Sequence, residues 1–479
     1  MAVRSGSDKD RGVESPLVGA GRPRQGGSAR PLAVVSGRPR ATRAARAGGT
    51  APGMDLALAL PLGAAGGALG WLGWRWPGAL LALALASLAL GLQWILEDHL
   101  PQAVRALTLP AQKLLLLAAL AANAVRFGLR RDIVPWPLLA VAALAVQSLL
   151  AADLDPRLGP AAMAEAALDL VLPWLLVNLV VAPGSRDRLA LLLILLAAAC
   201  VGAGALLHVA EVRNLYFGSA SRGLRLHGAS NAGWLACLAF AGFAIALHEA
   251  VLRRRRALVA LAALNAVITV LTGGRMGIVA CLVLALAYLG FARPAAARHG
   301  PLPTAALGLG AAAVFLLLSV TLVEGYNVEQ LEEVFSLTGR GTLWLHYLDE
   351  FRMSPLFGRG LGAGLLGRNY YDLPHNEYLR LLVEGGIVGA VLYGGAVVLW
   401  GRQVLARTPA DERAFVRALF IALAVYALTD NILTMPPGLV PFVYLALLLG
   451  EPRAAPALAE APPAAAPPAA ERKLPAGDH

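Results

Sequence analysis

The chain has 479 residues, 58% of them hydrophobic, and a mean hydropathy of +0.63, which excludes a soluble protein of ordinary composition. Its net charge of +11 is concentrated in residues 1–53, where ten Lys+Arg stand against three Asp+Glu in a stretch without apolar periodicity. A basic tail of this Gly-, Pro- and Ser-rich composition does not indicate nucleic-acid binding, so no nucleic-acid partner is expected.

The two ends of the chain are expected to lie outside the folded part. Residues 1–53 form a disordered basic arm, a transit-like segment or an over-extended start; we favour the last because Met54 leads directly into the first apolar run. Residues 451–479 are rich in Pro and Ala and are predicted to be disordered. The predicted domains are therefore a transmembrane bundle over 54–323 and 377–450, with a loop at 324–376 between its two parts.

Long apolar stretches follow one another along the chain. A membrane-spanning helix needs roughly 20 predominantly apolar residues, whereas a membrane β-barrel has alternating segments of about ten, which this sequence lacks. We predict an all-α, polytopic helical membrane protein of about 12 transmembrane helices. Thirteen helices stay possible, because its glycines make the first stretch less apolar than the others. The predicted spans are 55–73, 77–96, 110–128, 133–151, 164–182, 186–210, 229–251, 256–273, 276–292, 303–323, 377–401, 413–430 and 436–450.

Short loops rich in arginine predict the orientation, because loops with an excess of Lys and Arg stay in the cytoplasm. The clearest are 126–131 and 253–256. With these loops inside, the segments 211–228, 324–376 and 431–436 face outward. A basic N-terminus resists export, which favours twelve spans over thirteen.

The outward segment 324–376 differs from the other loops by its length and by its aromatic and charged residues. Loops this long are usually functional lids or disordered, and the aromatic residues argue against disorder. Helix-like apolar spacing at 328–335 and 343–351 predicts one helical cap between late spans. The glycine-rich residues 357–362 are predicted to be a flexible connector.

His375 ends this outward segment, in Leu373-Pro374-His375-Asn376-Glu377, immediately before a span. Pro374 restricts the backbone ahead of it, and Asn376 can cap the helix that follows, which would hold the ring on a rigid element. An unperturbed imidazole titrates near neutral pH and suits a general base, whereas arginine, with a pKa above ~12, does not. The alternative is a structural histidine bonded to a loop carbonyl.

Three arginines lie at outward membrane edges. Arg225 precedes a predicted span, Arg275 lies in the tight turn Thr272-Gly273-Gly274-Arg275, and Arg340 lies in the cap. Backbone amides at a helix start, together with a guanidinium group, form an anion site suited to phosphate. The alternative for each is an arginine that extends to the lipid headgroups.

The sequence predicts no metal and no cofactor. The three cysteines, at 200, 237 and 281, fall inside apolar runs and are interpreted as small buried hydrophobic residues. No Gly-x-x-x-x-Gly-Lys loop occurs, and Lys is found only at positions 9, 113 and 473, so this chain is not expected to use ATP itself.

Four pieces of sequence follow one another in a recognisable order: Arg225 to Asn231, Thr272-Gly273-Gly274-Arg275, Thr338-Gly339-Arg340 through Gly362, and His375-Asn376-Glu377-Tyr378-Leu379 followed by Glu384 to Gly389. Together they resemble the bacterial O-antigen ligase and polymerase superfamily over roughly residues 190–450. One departure is Gly274, which stands where many members carry Ser before the arginine.

The resemblance implies a metal-independent, inverting glycosyltransferase of the bacterial inner membrane, with its active site facing the periplasm. Its donor would be a glycan on undecaprenyl diphosphate, and its acceptor a hydroxyl of lipid A–core or of another glycan. His375 would take the proton from that hydroxyl. The residues that would hold the diphosphate are Arg225, Arg275 and Arg340, with Asn231 and Asn376 in supporting positions.

Two alternatives stay open. The first is an O-antigen or exopolysaccharide polymerase of the same superfamily, although the short cap favours a ligase over a protein glycosyltransferase. The second is a small-anion membrane transporter, in which the arginines bind the anion. A transporter would tend to have paired, broken helices in two similar halves, and the sequence has no such repeat.

Overall fold

The computed structural model describes residues 67–91, 102–150, 158–182, 184–219, 223–296, 340–365 and 373–450. Within these ranges the regular structure is mostly helical, and the protein is a polytopic helical membrane protein. Several predictions lie outside the described residues: both tails, the start at Met54, the span at 303–323 and the cap helix at 328–335. The domain boundaries and the number of about twelve spans stay predictions.

The helices take the order that the apolar stretches predict. One antiparallel hairpin, β1 (Tyr216–Ser219) and β2 (Gly223–Leu226), interrupts them. The helices are α1 (Pro77–Ser87), α2 (Gln102–Phe127), α3 (Trp136–Leu150), α4 (Pro160–Val177), α5 (Arg186–Val209), α6 (Ala232–Arg253), α7 (Arg256–Leu271), α8 (Arg275–Ala296), α9 (Arg340–Met353), α10 (Glu377–Arg407), α11 (Arg413–Ala427) and α12 (Val440–Leu449).

Within the described ranges, five helices are long and apolar enough to cross a membrane, judged by length and composition: α4, α5, α6, α8 and α10. Helix α6 is the centre of the bundle, since it is buried from Ala232 to Ala250, as expected of a helix that is apolar on all sides. Small residues let its neighbours approach closely. At Gly242, the side chain of Asn265 from α7 and the carbonyl of Ile194 from α5 fill the space that a side chain would need.

The arginine-rich loops meet at one end of the bundle, where acidic residues of other loops bind them. The loops that were assigned to the cytoplasm thus lie at the same end, and the side of the membrane that they face stays a prediction. Three ion pairs join them: Arg253 with Asp187 at 2.5 Å, Arg186 with Glu412 at 2.8 Å, and Arg407 with Asp132 at 3.1 Å.

The segments predicted to face outward lie at the other end. Helix α6 runs from Asn231, its N-cap, to Arg253 over 22 residues, a length of about 33 Å. The hairpin and the start of α6 are therefore separated from the arginine-rich loops by about the thickness of a bilayer core.

Helix α10 is broken at Gly386, whose backbone (φ +63°, ψ −166°) is not helical. A break leaves carbonyls before it and amides after it without helical partners. The loop at 355–360 supplies those partners in both directions. The amides of Arg359 and Gly360 donate to the carbonyls of Val383 and Glu384, and the amides of Ile387 and Val388 donate to the carbonyls of Pro355 and Leu356.

The prediction of a flexible connector at 357–362 is wrong. Gly358 is buried with φ +69°, and a side chain there would collide with the carbonyl of Glu384. The glycines of this loop serve a left-handed backbone and close contact with α10, not flexibility. Helix α3 fixes the same loop, because Gln147 Nε2 donates to the Phe357 carbonyl at 2.6 Å and Ser148 Oγ accepts from the Leu361 amide at 2.7 Å.

Candidate functional site

The hairpin holds Arg225 against the turn between α7 and α8. Arg225 lies opposite Phe217 in the strand register, and its Nε donates to the carbonyl of Thr272 at 2.7 Å. Its side chain also packs over Gly273, whose φ is +61°. Two segments that are 47 residues apart in sequence are thus in direct contact, which brings Arg225 to the turn that carries Arg275.

Arg275 is the first residue of α8 and is exposed. The turn before it is narrow, because the Gly274 amide donates to Thr272 Oγ1 at 3.1 Å. A Cβ on Gly274 would lie 2.6 Å from the Cβ of Ala236 in α6, so glycine is the residue that fits this approach. This contact gives a physical reason for the glycine before Arg275.

His375 lies beside an acidic residue that the sequence did not reveal. Its Nδ1 is 3.2 Å from Oδ1 of Asp430, in the loop after α11. The His375 side chain is 34% exposed and that of Asp430 is 13% exposed, so the pair lies partly shielded from solvent. The signal that could have indicated Asp430 is a carboxylate at the outward end of a predicted span, next to a loop assigned to the same face as His375.

The backbone around His375 is held at several points. His375 itself has a left-handed φ of +46°, which is uncommon for a residue other than glycine. Asn376 Oδ1 accepts from the Leu379 amide at 3.0 Å and caps α10, and the indole of Trp344 in the cap helix α9 donates to the Pro374 carbonyl at 2.7 Å. The side chain is therefore presented from a fixed helix start.

The two parts of the site converge on α6. Asn231 caps this helix by accepting from the Trp234 amide at 2.8 Å. Ala236 touches the turn at Gly274, and one turn further along, Phe240 packs on Tyr426 of α11, the helix that leads to Asp430, with ring centroids 5.5 Å apart. Residues one turn apart on one helix thus contact the arginine turn and the helix that leads to Asp430.

Arg340 begins the cap helix α9, but its side chain lies outside the described part of the chain. Its assignment as a diphosphate ligand stays a prediction. Among the described residues, no group of three or more His, Cys, Asp or Glu is arranged to hold a metal ion. The cysteines at 200, 237 and 281 are buried and free.

A second histidine, His227, follows the hairpin and stacks on Phe217 with ring centroids 5.4 Å apart. Burial, together with the positive charges of Arg213 and Arg225, lowers its pKa to about 4. An imidazole with this pKa is neutral at pH 7 and accepts a proton poorly there. His375 is therefore the better candidate for a base.

Residues 260–394 match the family model described as O-antigen ligase. Over these 135 of its 479 residues, the chain is similar to O-antigen ligases. The match begins inside α7 and ends inside α10, so it includes the turn with Arg275, the cap helix and His375. No curated protein matches the chain.

Three residues at the site lie outside the matched range: Arg225, Asn231 and Asp430. The folded chain brings these residues to the matched segment through the contacts with Thr272, with the start of α6 and with His375.

Proposed function

We propose that the protein is a metal-independent, inverting O-antigen ligase-like glycosyltransferase. It moves a glycan from undecaprenyl diphosphate to an acceptor hydroxyl, of lipid A–core or of another glycan, at the periplasmic face of the bacterial inner membrane. The observation that carries this proposal is the pairing of His375 with Asp430 at the end of the bundle where Arg225 meets the turn with Arg275.

His375 acts as the general base. With Nδ1 protonated and donating to the Asp430 carboxylate, Nε2 carries the lone pair that takes the proton of the acceptor hydroxyl. The acceptor oxygen then forms the bond to the anomeric carbon as the bond from that carbon to the diphosphate oxygen breaks. Attack opposite the leaving group inverts the anomeric configuration. Asp430 stabilises the positive charge that forms on the ring.

Arg225 and Arg275 bind the diphosphate and stabilise the negative charge that it keeps as it leaves. Fixed cations lower the energy of such a leaving group, and the start of α8 adds the positive end of a helix dipole at the same place. Arg340, at the start of the cap helix, is the third candidate for this role. These cations give the charge neutralisation that a metal ion gives in other phosphate chemistry.

The small-anion transporter is the competing class, and the broken helix α10 is the observation that favours it. In transporters, such breaks leave helix ends open to bind ions. At Gly386 the loop at 355–360 instead fills both helix ends with backbone hydrogen bonds. This arrangement supports a fixed scaffold around a site and weakens the transporter proposal.

The test is a transfer assay with purified protein in lipid nanodiscs, undecaprenyl-diphosphate-linked glycan and either a core-lipid or a glycan acceptor. Wild type is expected to form product in the presence of a chelator, and the size of the product separates ligation from polymerisation. His375→Ala is expected to lose at least 100-fold in rate, within the range for a general base. The matched control is His208→Ala, since His208 is an exposed histidine at the end of α5. Wild-type transfer by His375→Ala would falsify the proposal.

A further inference from the structure

Five charged side chains lie buried together beside the start of α10. Buried charges are costly unless they are paired, so a cluster of this kind needs a reason. None of the five is more than 3% exposed: Lys113 from α2, Asp169 from α4, and Glu377, Arg380 and Glu384 from α10.

Arg380 is the centre of this cluster. Its Nε lies 2.9 Å from Glu377 Oε2 and 4.0 Å from Glu384 Oε1, and its Nη1 lies 3.7 Å from Asp169 Oδ2. Asp169 in turn pairs with Lys113. The guanidinium group is therefore surrounded by three carboxylates from two helices. Lys113 pairs with the other oxygen of the Asp169 carboxylate, on the side away from Arg380.

Glu377 has a second contact that leads out of the cluster. Its Oε1 accepts from the backbone amide of Leu433 at 2.8 Å, while its Oε2 faces Arg380. Leu433 lies three residues after Asp430, and the loop between them is tied internally, because the Asn431 amide donates to Asp430 Oδ1 at 3.0 Å. One carboxylate therefore joins the buried cluster to the loop that carries Asp430.

Glu377 also follows His375 by two residues, so it fixes both members of the catalytic pair. The left-handed backbone of His375 needs such support, because strained residues persist only where the surroundings hold them. Glu377 thus links the start of α10 to the loop at 430–434, and the pair of His375 and Asp430 joins the same two segments.

We infer that Glu377, oriented by Arg380, is the positioning residue that keeps the Asp430 carboxylate against Nδ1 of His375. The inference rests on the proposed function, in which His375 is the base. Glu377 does not contact substrate; it acts through Asp430. Its loss therefore lowers kcat and leaves the KM for the lipid-linked donor unchanged, since the arginines bind the donor elsewhere.

The first measurement needs no activity. Hydrogen exchange followed by mass spectrometry reports the protection of the amides at 431–434 in nanodisc-embedded protein. Glu377→Met removes the acceptor of the Leu433 amide and is expected to speed exchange in this segment at least tenfold. Glu377→Gln retains a carbonyl oxygen and is expected to keep most of the protection. The control is Lys113→Met, which removes a buried charge of the same cluster whose ion pairs are with Asp169 and Glu165 of α4.

The second measurement is a double-mutant cycle in the transfer assay with Glu377→Met and Asp430→Asn. Because the two residues act through one contact, the double variant is expected to be no more than about threefold slower than the slower single variant. KM for the donor is expected to stay within twofold of wild type. Glu377→Gln is expected to recover a large part of kcat.

The inference is overturned if exchange at 431–434 is equally fast in Glu377→Met and Lys113→Met. It is also overturned if the rate losses of Glu377→Met and Asp430→Asn multiply in the double variant. The proposed function fails by a different result, wild-type transfer by His375→Ala. A Glu377→Met protein that does not fold is replaced by Glu377→Gln. In that variant, exchange at 431–434 as slow as in wild type, combined with a kcat loss as large as that of Asp430→Asn, would also contradict the positioning role.

Discussion

Nδ1 of His375 lies 3.2 Å from Oδ1 of Asp430, although the two residues are 55 positions apart in the chain. The first precedes α10 and the second follows α11, so the contact exists only in the folded bundle. A carboxylate at this ring nitrogen selects one tautomer and leaves Nε2 as the proton acceptor. In the proposed mechanism, the same carboxylate would stabilise the imidazolium that forms when the acceptor hydroxyl gives up its proton.

Asp430→Asn tests this relationship. The asparagine has nearly the same shape, but its amide lacks the negative charge and can donate to Nδ1, which would select the wrong tautomer. We expect kcat for glycan transfer to fall about 100-fold or more, with the protein still inserted at normal abundance. Asp349→Asn in the cap helix is the control, since its side chain is 68% exposed. Transfer at the wild-type rate by Asp430→Asn would mean that the contact has no role in proton transfer.

Arg275→Lys tests the arginine turn. Lysine keeps the charge but loses the planar, bidentate fork that matches a phosphate group. The KM for undecaprenyl-diphosphate glycan is expected to rise and kcat to fall, with kcat/KM down by about tenfold or more, measured with saturating acceptor. The control is Arg352→Lys in the cap helix, because Arg352 is 72% exposed and pairs with an exposed Asp349. Equal activity of both variants would reduce Arg275 to an arginine that reaches the headgroups.

The sequence was sufficient to predict a mostly helical, polytopic membrane protein. Long apolar stretches identify membrane helices because lipid imposes one structure on the backbone. His375 and Arg275 could be proposed as site residues because each is a polar residue at the edge of such a stretch. Asp430 was missed, since a carboxylate at a helix end is usually solvated, and its outward position alone does not indicate a partner 55 residues away.

The glycine-rich loop shows a second limit of the sequence. A run such as Phe357-Gly358-Arg359-Gly360 has the composition of a flexible linker. Its actual role depends on the break at Gly386, because the loop's amides pair with carbonyls that the break leaves open. A local pattern does not distinguish glycine chosen for flexibility from glycine chosen for a left-handed backbone and a close contact.

The pKa of His227 predicts a pH dependence of stability. Burial holds the folded-state pKa at about 4, below the ordinary value of 6.5, so the unfolded chain binds a proton that the folded chain does not. The contribution of neutral His227 to the free energy of unfolding is therefore complete above pH 6.5 and is lost as the pH falls from 6.5 towards 4. Thermal unfolding in nanodiscs is expected to show a larger loss of Tm over this window in wild type than in His227→Gln. Identical profiles of Tm against pH in wild type and His227→Gln would contradict the lowered pKa of His227.

Gly386→Ala tests whether the fold requires the break in α10. A side chain at Gly386 would collide with the Leu356 carbonyl, and its φ of +63° with ψ of −166° is a region reserved for glycine. We expect a loss of stability of about 3 kcal/mol, the upper end for a strained backbone position, measured as a fall in Tm and in inserted protein. The hydrogen bonds from Ile387 and Val388 to the loop at 355–360 would be disrupted as well.

Gly394→Ala in the same helix gives the opposite expectation. Gly394 is exposed, has helical geometry and has open space where a Cβ would lie. Alanine should stabilise the helix there by up to about 1 kcal/mol. Two glycine-to-alanine changes eight residues apart in one helix would therefore move Tm in opposite directions. A fall of similar size at both positions would indicate that α10 is sensitive to any added side chain, and the break would lose its special role.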